Sequence, residues 1–332
     1  MKDNFNLPIS GNEHITDFLS KSIKNKKIAG TYIFSGVEDV GKTTAAIYFA
    51  KTLLCSNTEV AFACGECDNC QKFEKNNQAL NDFYLLKKDL EKQNISIDEV
   101  RNFISRMNLG ALSGGYKVGI IKDADNMSLE AENALLKTLE EPKNKTVIIL
   151  TTSSIGKLPK TIVSRSQVLN FFPAKFETLY DFLIEQVGVS RPLAKNLALL
   201  SLGRMALARK FFKDKSFFDS YQAQAEIFLK LLSKNAIESM SEIEKISAKA
   251  KTKKDYQDAL NIWQGVLRDL MFLKFGHKDM IRNQFLIKDL EKHAVRFSPP
   301  KLAVLLEKSI KAKDYLSANV NPKNVLEYAV IY

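Results

Sequence analysis

The chain has 332 residues, of which 45% are hydrophobic and 26% are charged, so it can bury a core and is not wholly disordered. No apolar run approaches the about 18 residues that a membrane-spanning helix needs. The first residues lack the basic and then apolar order of a signal peptide. We therefore expect a cytoplasmic protein without membrane contact, and at about 150 residues per domain the length predicts two or three domains.

The net charge of +11 is unevenly distributed along the sequence. Residues 1–172 contain 22 basic and 20 acidic side chains, a net +2, whereas residues 173–332 contain 27 and 18, a net +9. A basic surface attracts phosphate groups without reading base sequence. A lysine-rich solvated surface has the same composition, so the charge alone leaves both interpretations open.

Helices and strands alternate in the first half of the predicted structure. Apolar spacing predicts helices over residues 12–27 and 43–54, a helix starting near Ile97, and a helix capped by Ser128 that runs up to Pro142. Short apolar runs predict a strand within residues 30–36, which runs into a glycine-bounded loop, and further strands at residues 83–86, 117–121 and 147–150. This alternation is typical of a parallel sheet covered by helices on both faces.

After Pro173 the sequence shows only helical periodicity, interrupted by glycines and prolines. The predicted fold class is therefore α/β followed by all-α. We predict an α/β domain over residues 1–172 and two helical domains over residues 173–214 and 215–332.

A phosphate-binding loop is predicted between the first strand and the next helix. Residues 36–43, GVEDVGKT, match the Walker A pattern GxxxxGK[ST]. In such a loop, glycines let backbone N–H groups curl around phosphates at a helix N-terminus. The side chain of the lysine neutralises phosphate oxygens, and a hydroxyl completes a Mg²⁺ shell. The residues predicted to bind nucleotide here are Gly36, Gly41, Lys42, Thr43 and Thr44.

Hydrolysis also requires an acidic residue after a second strand to hold Mg²⁺, followed by a glutamate that polarises water. In the stretch after residues 117–121, Lys122 stands where the magnesium-binding acid belongs, and Asp123 where the glutamate belongs. A shift of one residue lets Asp123 serve the metal, but Ala124 then takes the place of the base. The acidic pair is incomplete in both registers, which predicts a nucleotide site without efficient turnover.

All four cysteines lie in one short window, at Cys55, Cys64, Cys67 and Cys70. In a cytosolic chain, two-residue gaps between cysteines favour a metal site over a disulfide. Zn²⁺ accepts four thiolates in a closed tetrahedron, so we predict a structural zinc module at about residues 55–70. Iron–sulfur ligation and redox-active thiols are the alternatives.

Taken together, these motifs resemble the bacterial clamp-loader ATPases of the DNA polymerase III holoenzyme. The resemblance is carried by the Walker A loop, the cysteine spacing, and the stretches at residues 114–121, 133–142 and 158–165. It covers about residues 10–172 and continues more weakly to the end. It implies an AAA+ module, a small helical lid at residues 173–214, and a helical collar at residues 215–332 that assembles a pentamer.

Within that family, the incomplete pair at Lys122 and Asp123 resembles the delta-prime subunits more than the gamma/tau motor subunits. The resemblance implies a stator in a hetero-pentamer with gamma/tau and delta subunits, which loads the sliding clamp onto primed DNA during replication. Weak or absent ATPase activity is expected, and the sequence contains no recognisable polymerase active site. The alternatives are an active gamma/tau-like ATPase that uses Asp123, and a zinc-stabilised nucleic-acid-binding module.

The resemblance also implies roles for three further residues. Arg165 stands where the family has the arginine of Ser-Arg-Cys, an arginine finger that reaches the ATP site of a neighbouring subunit; a surface arginine in a turn is the alternative. Thr152, next to Thr151 at a strand end, resembles a sensor of the γ-phosphate. Arg204 resembles the second sensor in the lid, although the residues around it depart from the family pattern.

Overall fold

A computed structural model describes residues 10–57, 62–75, 80–89, 92, 94–111, 115–141, 145–250 and 252–330. The chain divides into two compact units. One comprises the chain up to Phe182 together with Leu202–Leu207, and the other comprises Leu183–Ser201 and the chain from Ala208 onward. None of the helices in the described ranges has both the length and the apolar character needed to cross a bilayer.

The first unit contains a five-stranded sheet with helices between the strands. Its elements, in chain order, are α1 (Glu13–Lys24), β1 (Thr31–Ser35), α2 (Lys42–Leu53), α3 (Asp68–Lys75), β2 (Phe83–Leu86), α4 (Ile97–Asn108), β3 (Lys117–Ile121), α5 (Leu129–Glu140), β4 (Thr146–Thr152), α6 (Lys160–Val163), β5 (Gln167–Asn170) and α7 (Phe176–Glu185), the last of which crosses the boundary between the units.

All neighbouring strands of the sheet are parallel, in the order β2-β3-β4-β1-β5. The strand β4 lies between β1 and β3, with Ser35 opposite Thr152 and Ile121 opposite Leu150. Because parallel strands end at one edge of a sheet, this order brings the loops after β1, β3 and β4 together, which is where ligands bind in open α/β sheets.

Side chains of the sheet alternate between two apolar cores, as the two-residue period of a strand requires. Tyr32 and Phe34 pack on one face with Phe49 of α2, whereas Ile33 packs on the other face with Phe103 of α4. The helix α4 begins at a capping box formed by Ser96 and Glu99, and α5 begins at Ser128, whose hydroxyl accepts the Ala131 N–H.

The second unit is helical, apart from short 3₁₀ turns, in the residues that the structure describes. Its core surrounds Trp263, which is fully buried and stacks on Phe228 with the ring centroids 4.8 Å apart. The helix α12 carries Trp263 and packs against α10, α13, α14 and α15. The helices of the second half are α8 (Arg191–Ser201), α9 (Met205–Lys213, which begins in the first unit), α10 (Lys215–Leu231), α11 (Ala236–Lys249), α12 (Lys253–Lys274), α13 (Ile287–Arg296), α14 (Pro299–Ser317) and α15 (Pro322–Val330).

These elements confirm the predicted fold class, a parallel α/β sheet followed by a helical region. Three elements of the first unit, α3, α6 and β5, are additions to the prediction. The cap at Ser128 is confirmed, while Pro142 lies outside the described residues. The boundaries predicted for three domains, including the one between two helical domains near residue 214, stay a prediction.

Candidate nucleotide and metal sites

The backbone of the predicted phosphate loop is bent at three positions. Gly36, Asp39 and Gly41 have φ angles of +153°, +61° and +111°, values that favour glycine and that an aspartate adopts less readily. A Cβ at Gly36 would lie 2.4 Å from the Phe171 carbonyl oxygen, whereas a Cβ at Gly41 would meet no heavy atom within 4 Å. The loop is therefore packed tightly against Phe171 at Gly36, whereas the space beside Gly41 is open.

Lys42 is the first residue of α2, and its side chain lies in the loop that precedes this helix. Its Nζ donates hydrogen bonds to the carbonyl oxygens of Gly36 and Val37, at 2.6 and 2.8 Å. Only 6% of the residue is exposed. Burial lowers the pKa of Lys42 below its ordinary value, and nearby carboxylates, Asp123 foremost, offset only part of that effect. The lysine thus stabilises the curvature of the loop.

The other predicted nucleotide contacts of the loop lie in the first turn of α2. Thr43 and Thr44 are both half-buried and follow Lys42 directly. No acidic residue occupies that turn, so no negative charge in the first turn of the helix competes with an anion for its backbone N–H groups. Exposed Glu38 and Asp39 supply negative charge earlier in the loop. The loop backbone fits a phosphate group, while its two acidic side chains weaken the attraction.

Asp123 follows β3 in the position where the sequence predicts a degenerate catalytic pair. Its backbone is left-handed, with φ of +53°, and its N–H donates to Thr151 Oγ1 at 2.9 Å. Burial raises the pKa of Asp123, although Lys122, whose Nζ lies 3.7 Å from its carboxylate, works in the opposite direction. The ends of β3 and β4 are therefore joined by a hydrogen bond, with half-buried Lys122 and Asp123 beside it.

Thr152 ends β4 and is fully buried. Its hydroxyl donates to the Ser154 carbonyl at 2.9 Å and accepts the Ser154 N–H at 3.2 Å, and its own carbonyl accepts the Gly36 N–H at 3.2 Å. In this arrangement the side chain shapes the turn after β4, and the backbone ties that turn to the phosphate loop.

Asp125 is a residue of this region that the sequence analysis did not assign to the site. Its carboxylate accepts hydrogen bonds from the Ser153 hydroxyl at 2.7 Å and from Lys157 Nζ at 3.3 Å. The segment after β3 is thereby fastened to the segment between β4 and α6. Burial would raise the pKa of Asp125, but the hydrogen bond from Ser153 and the charge of Lys157 outweigh it and hold that pKa below its ordinary value.

Arg165 lies on the surface of the first unit, two residues after α6. Its Nη2 lies 2.9 Å from Glu140 Oε1 at the end of α5, and its Nη1 donates to the Thr161 carbonyl at 3.0 Å and to Ser164 Oγ at 3.4 Å. The side chains of Arg165 and Glu140 are 36% and 50% exposed. The guanidinium is thus held at one end of a helix and remains accessible to another molecule.

Arg204 lies in Leu202–Leu207, a segment that belongs to the first unit although it is distant in sequence. Gly203 contacts Ala174, where a Cβ would lie 2.2 Å from the Ala174 carbonyl oxygen. The Ala206 N–H donates to the Asp39 carbonyl at 2.9 Å. The structure therefore brings this segment, with half-buried Arg204, against the phosphate loop.

The four cysteines form one cluster beside the end of α2 and the start of α3. All four Sγ atoms lie within 4.8 Å of one another, and the Cys55 sulfur lies 3.6 Å from that of Cys64 and 3.8 Å from that of Cys67. A disulfide requires about 2.05 Å between sulfurs. A tetrahedral site with about 2.3 Å bonds to each thiolate places its sulfurs about 3.8 Å apart. The residues therefore fit a metal ion, with Cys70 as the fourth ligand.

Comparison with known proteins gives matches across this chain. A family model described as "DNA polymerase III, delta subunit" matches residues 11–175. The DNA polymerase III subunit delta' of Bacillus subtilis (strain 168) is 28% identical over 318 residues, which cover 96% of this chain and 94% of that protein.

Two partial matches extend the comparison to related subunits. The subunit tau of the same Bacillus subtilis strain is 37% identical over 163 residues, which cover 49% of this chain and 28% of that protein. A subunit delta' from Pseudomonas aeruginosa is 36% identical over 137 residues, or 41% of each chain. From these matches we conclude that the chain belongs to the family of DNA polymerase III delta' subunits, which is related to the tau and gamma subunits.

Proposed function

We propose that this chain is a clamp-loader subunit that acts as a stator. It donates Arg165 to the ATP site of a neighbouring subunit while the complex loads the sliding clamp onto primed DNA in the cytoplasm. Its partners in the proposed hetero-pentamer are gamma/tau and delta subunits. The observation that carries this proposal is the exposed guanidinium of Arg165, which is oriented by Glu140 and Thr161 and accessible from outside the chain.

The state of the chain's own second motif supports a stator over a motor. Asp123 is the first carboxylate after β3, and Lys122, not a second acid, precedes it. Asp125 follows, but its carboxylate is engaged by Ser153 and Lys157. A motor subunit needs one carboxylate for Mg²⁺ and another to polarise water. We therefore expect the chain to hydrolyse ATP slowly or not at all.

Nucleotide binding by the chain's own loop is a separate part of the proposal. The backbone around Gly41 and the first turn of α2 would hold the phosphates of ATP, with Lys42 neutralising their charge. Thr43 would complete the shell of Mg²⁺, while Thr44, Thr152 and Arg204 stay second candidates for contacts. The hydrogen bonds from Lys42 to Gly36 and Val37 must be exchanged for contacts to phosphate, so we expect weak binding.

We further propose that the cysteine cluster holds one Zn²⁺ ion in a structural role. Four sulfur ligands leave no open position for a substrate or water. The ion would join Cys55, just after α2, to Cys70 in α3. When bound, the ion would cross-link the end of α2 to α3.

The stator proposal is tested in the assembled clamp loader by measuring DNA-stimulated ATP turnover. Complexes would contain the wild-type chain, Arg165→Ala, Lys42→Ala, or Arg101→Ala as a control, because Arg101 is an exposed arginine on α4. An arginine finger contributes about 10³- to 10⁵-fold at its own site. We expect Arg165→Ala to remove at least the turnover of the adjoining site, and the other two variants to match wild type.

The two variants separate the stator from the motor. Equal turnover in the Arg165→Ala and wild-type complexes, with assembly intact by gel filtration, would contradict the stator proposal. A slow Lys42→Ala complex that is folded by thermal unfolding and assembled by gel filtration would instead identify the chain as an active ATPase of the gamma/tau type.

A further inference from the structure

Glu140 is the described acidic side chain that contacts Arg165, and it lies outside the motifs assigned to the nucleotide site. It is the last residue of α5, and its Oε1 lies 2.9 Å from Arg165 Nη2. The adjacent Glu141 is exposed as well. The Glu140 carboxylate and the negative end of the helix dipole therefore meet the guanidinium at this helix end.

The contacts of Arg165 occupy one part of its hydrogen-bonding capacity. A guanidinium carries five N–H groups. Three of them are engaged in the contacts that the structure describes, with Glu140, Thr161 and Ser164. The other two can donate to an acceptor that another molecule presents, and a phosphate group accepts two such bonds from one guanidinium.

The same contacts restrict where those two N–H groups point. The carbonyl of Thr161 fixes Nη1 to the backbone of α6, and Glu140 fixes Nη2 to α5. An arginine side chain without such anchors loses rotational freedom when it binds, and that loss weakens the interaction. An anchored arginine avoids part of this loss, because it is already ordered before its partner arrives.

We propose that Glu140 is a positioning residue for Arg165, which orders the guanidinium before it meets the phosphate of a neighbouring subunit. The inference rests on the proposed function of Arg165 as an arginine finger. Glu140 itself does not contact the nucleotide. Its effect is exerted in the transition state of the neighbouring site through the orientation of Arg165.

The test uses the assembled clamp loader with Glu140→Ala, Glu140→Gln, Arg165→Ala and the double variant Glu140→Ala/Arg165→Ala. Glu141→Ala is the matched control, because it removes the same charge from the next position of the chain. We expect Glu140→Ala to slow hydrolysis at the adjoining site about two- to tenfold by lowering kcat with little change in KM. Glu140→Gln, which keeps an acceptor oxygen, should recover part of this rate, and Glu141→Ala should match wild type.

The double variant distinguishes positioning from a general structural effect. If Glu140 acts through Arg165, the double variant turns over ATP at the rate of Arg165→Ala alone. An additional loss in the double variant, or a Glu140→Ala complex as fast as wild type beside a slow Arg165→Ala complex, overturns the inference and leaves the stator proposal standing. An Arg165→Ala complex as fast as wild type overturns both. Thermal unfolding and gel filtration of each complex identify variants that fail to fold or assemble. If Glu140→Ala is one of them, the turnover of the Glu140→Gln complex is compared with wild type instead.

Discussion

At the scale of single residues, Asp125 illustrates how one carboxylate can organise a site without reacting in it. It joins the segment after β3 to Ser153 and Lys157, which precede the helix α6 that leads to Arg165. Its side chain is only 8% exposed. A buried acceptor with charged and hydroxyl donors contributes more to stability than an exposed ion pair.

We expect Asp125→Asn to destabilise the first unit by about 1–2 kcal/mol at pH 7. The pKa of Asp125 is lowered in the folded chain, so its contribution is present above the pKa of the unfolded chain, about 3.9, and is lost as the pH falls through the lower folded value. The difference between variant and wild type should therefore shrink from pH 7 to pH 3. Urea denaturation across this range measures it.

Asp98→Asn serves as the control for this titration, because the Asp98 side chain is 87% exposed. It should leave the urea midpoint unchanged at both ends of the range. An Asp125→Asn deficit that is as large at pH 3 as at pH 7 would show that the ionised carboxylate is not the source of the stability.

At the scale of elements, the contact of α4 with β3 depends on the lack of a side chain at Gly119. A Cβ at this position would lie 2.5 Å from Phe103 Cζ and 2.7 Å from Met107 Sδ. Both side chains belong to α4 and are fully buried or nearly so. The helix therefore lies closer to the sheet than a larger residue would allow.

We expect Gly119→Ala to destabilise the first unit by about 1–3 kcal/mol, because the core around Phe103 and Met107 has no room for a further methyl group. The midpoint of urea denaturation measures the loss. Gly110→Ala is the control, since a Cβ there would meet no heavy atom within 4 Å and the backbone is not left-handed. A Gly119→Ala chain as stable as Gly110→Ala would mean that α4 shifts without cost.

The elements that the sequence predicts well are those with a strong apolar pattern. The strand β3 is found at its predicted limits, residues 117–121, and β4 extends one residue before and two residues after its predicted run. The strand β5 is not predicted because it is an edge strand, in which Leu169 is the one buried residue of Gln167–Asn170. The helix α3 is short and polar, and it is positioned by the cysteines on either side of its start.

The candidate sites likewise divide into those that the sequence predicts and those that depend on the tertiary fold. The residues of the phosphate loop, and likewise those of the cysteine cluster, lie within one short stretch of the sequence, so spacing alone locates them. The ion pair of Arg165 with Glu140 joins residues 25 positions apart in the chain, and no local pattern indicates it. The packing of Leu202–Leu207 against the phosphate loop depends on the tertiary fold and is likewise invisible to periodicity.

At the scale of the whole molecule, the cysteine cluster belongs to one of the two compact units, so removal of a bound metal should have a local effect. All four cysteines lie in the unit that contains the sheet. A structural Zn²⁺ ion contributes to folding stability directly, because the unfolded chain lacks the assembled site.

We expect the purified chain to contain one zinc ion, measured by elemental analysis, and Cys70→Ser to contain much less. Chelation should then increase amide hydrogen exchange in α2 and α3, while α10–α15 keep the exchange rates of the untreated chain. All cysteines of the chain lie in the cluster, so thiol titration gives an independent count of four in the metal-free protein. Iron in place of zinc, or equal deprotection of both units, would contradict the structural role.

The structural contacts of the phosphate loop have a consequence for how the sequences of such subunits change during evolution. Gly36 is required by the nearby Phe171 carbonyl, and Lys42 binds the carbonyls of Gly36 and Val37. Mutations at these two positions would weaken the packing and hydrogen bonds of the loop even in a subunit that no longer uses ATP. Natural selection for folding can therefore preserve the first glycine and the lysine of a Walker A signature after selection for nucleotide turnover has ceased. The acidic pair after β3 can then be lost by substitution before the Walker A residues are.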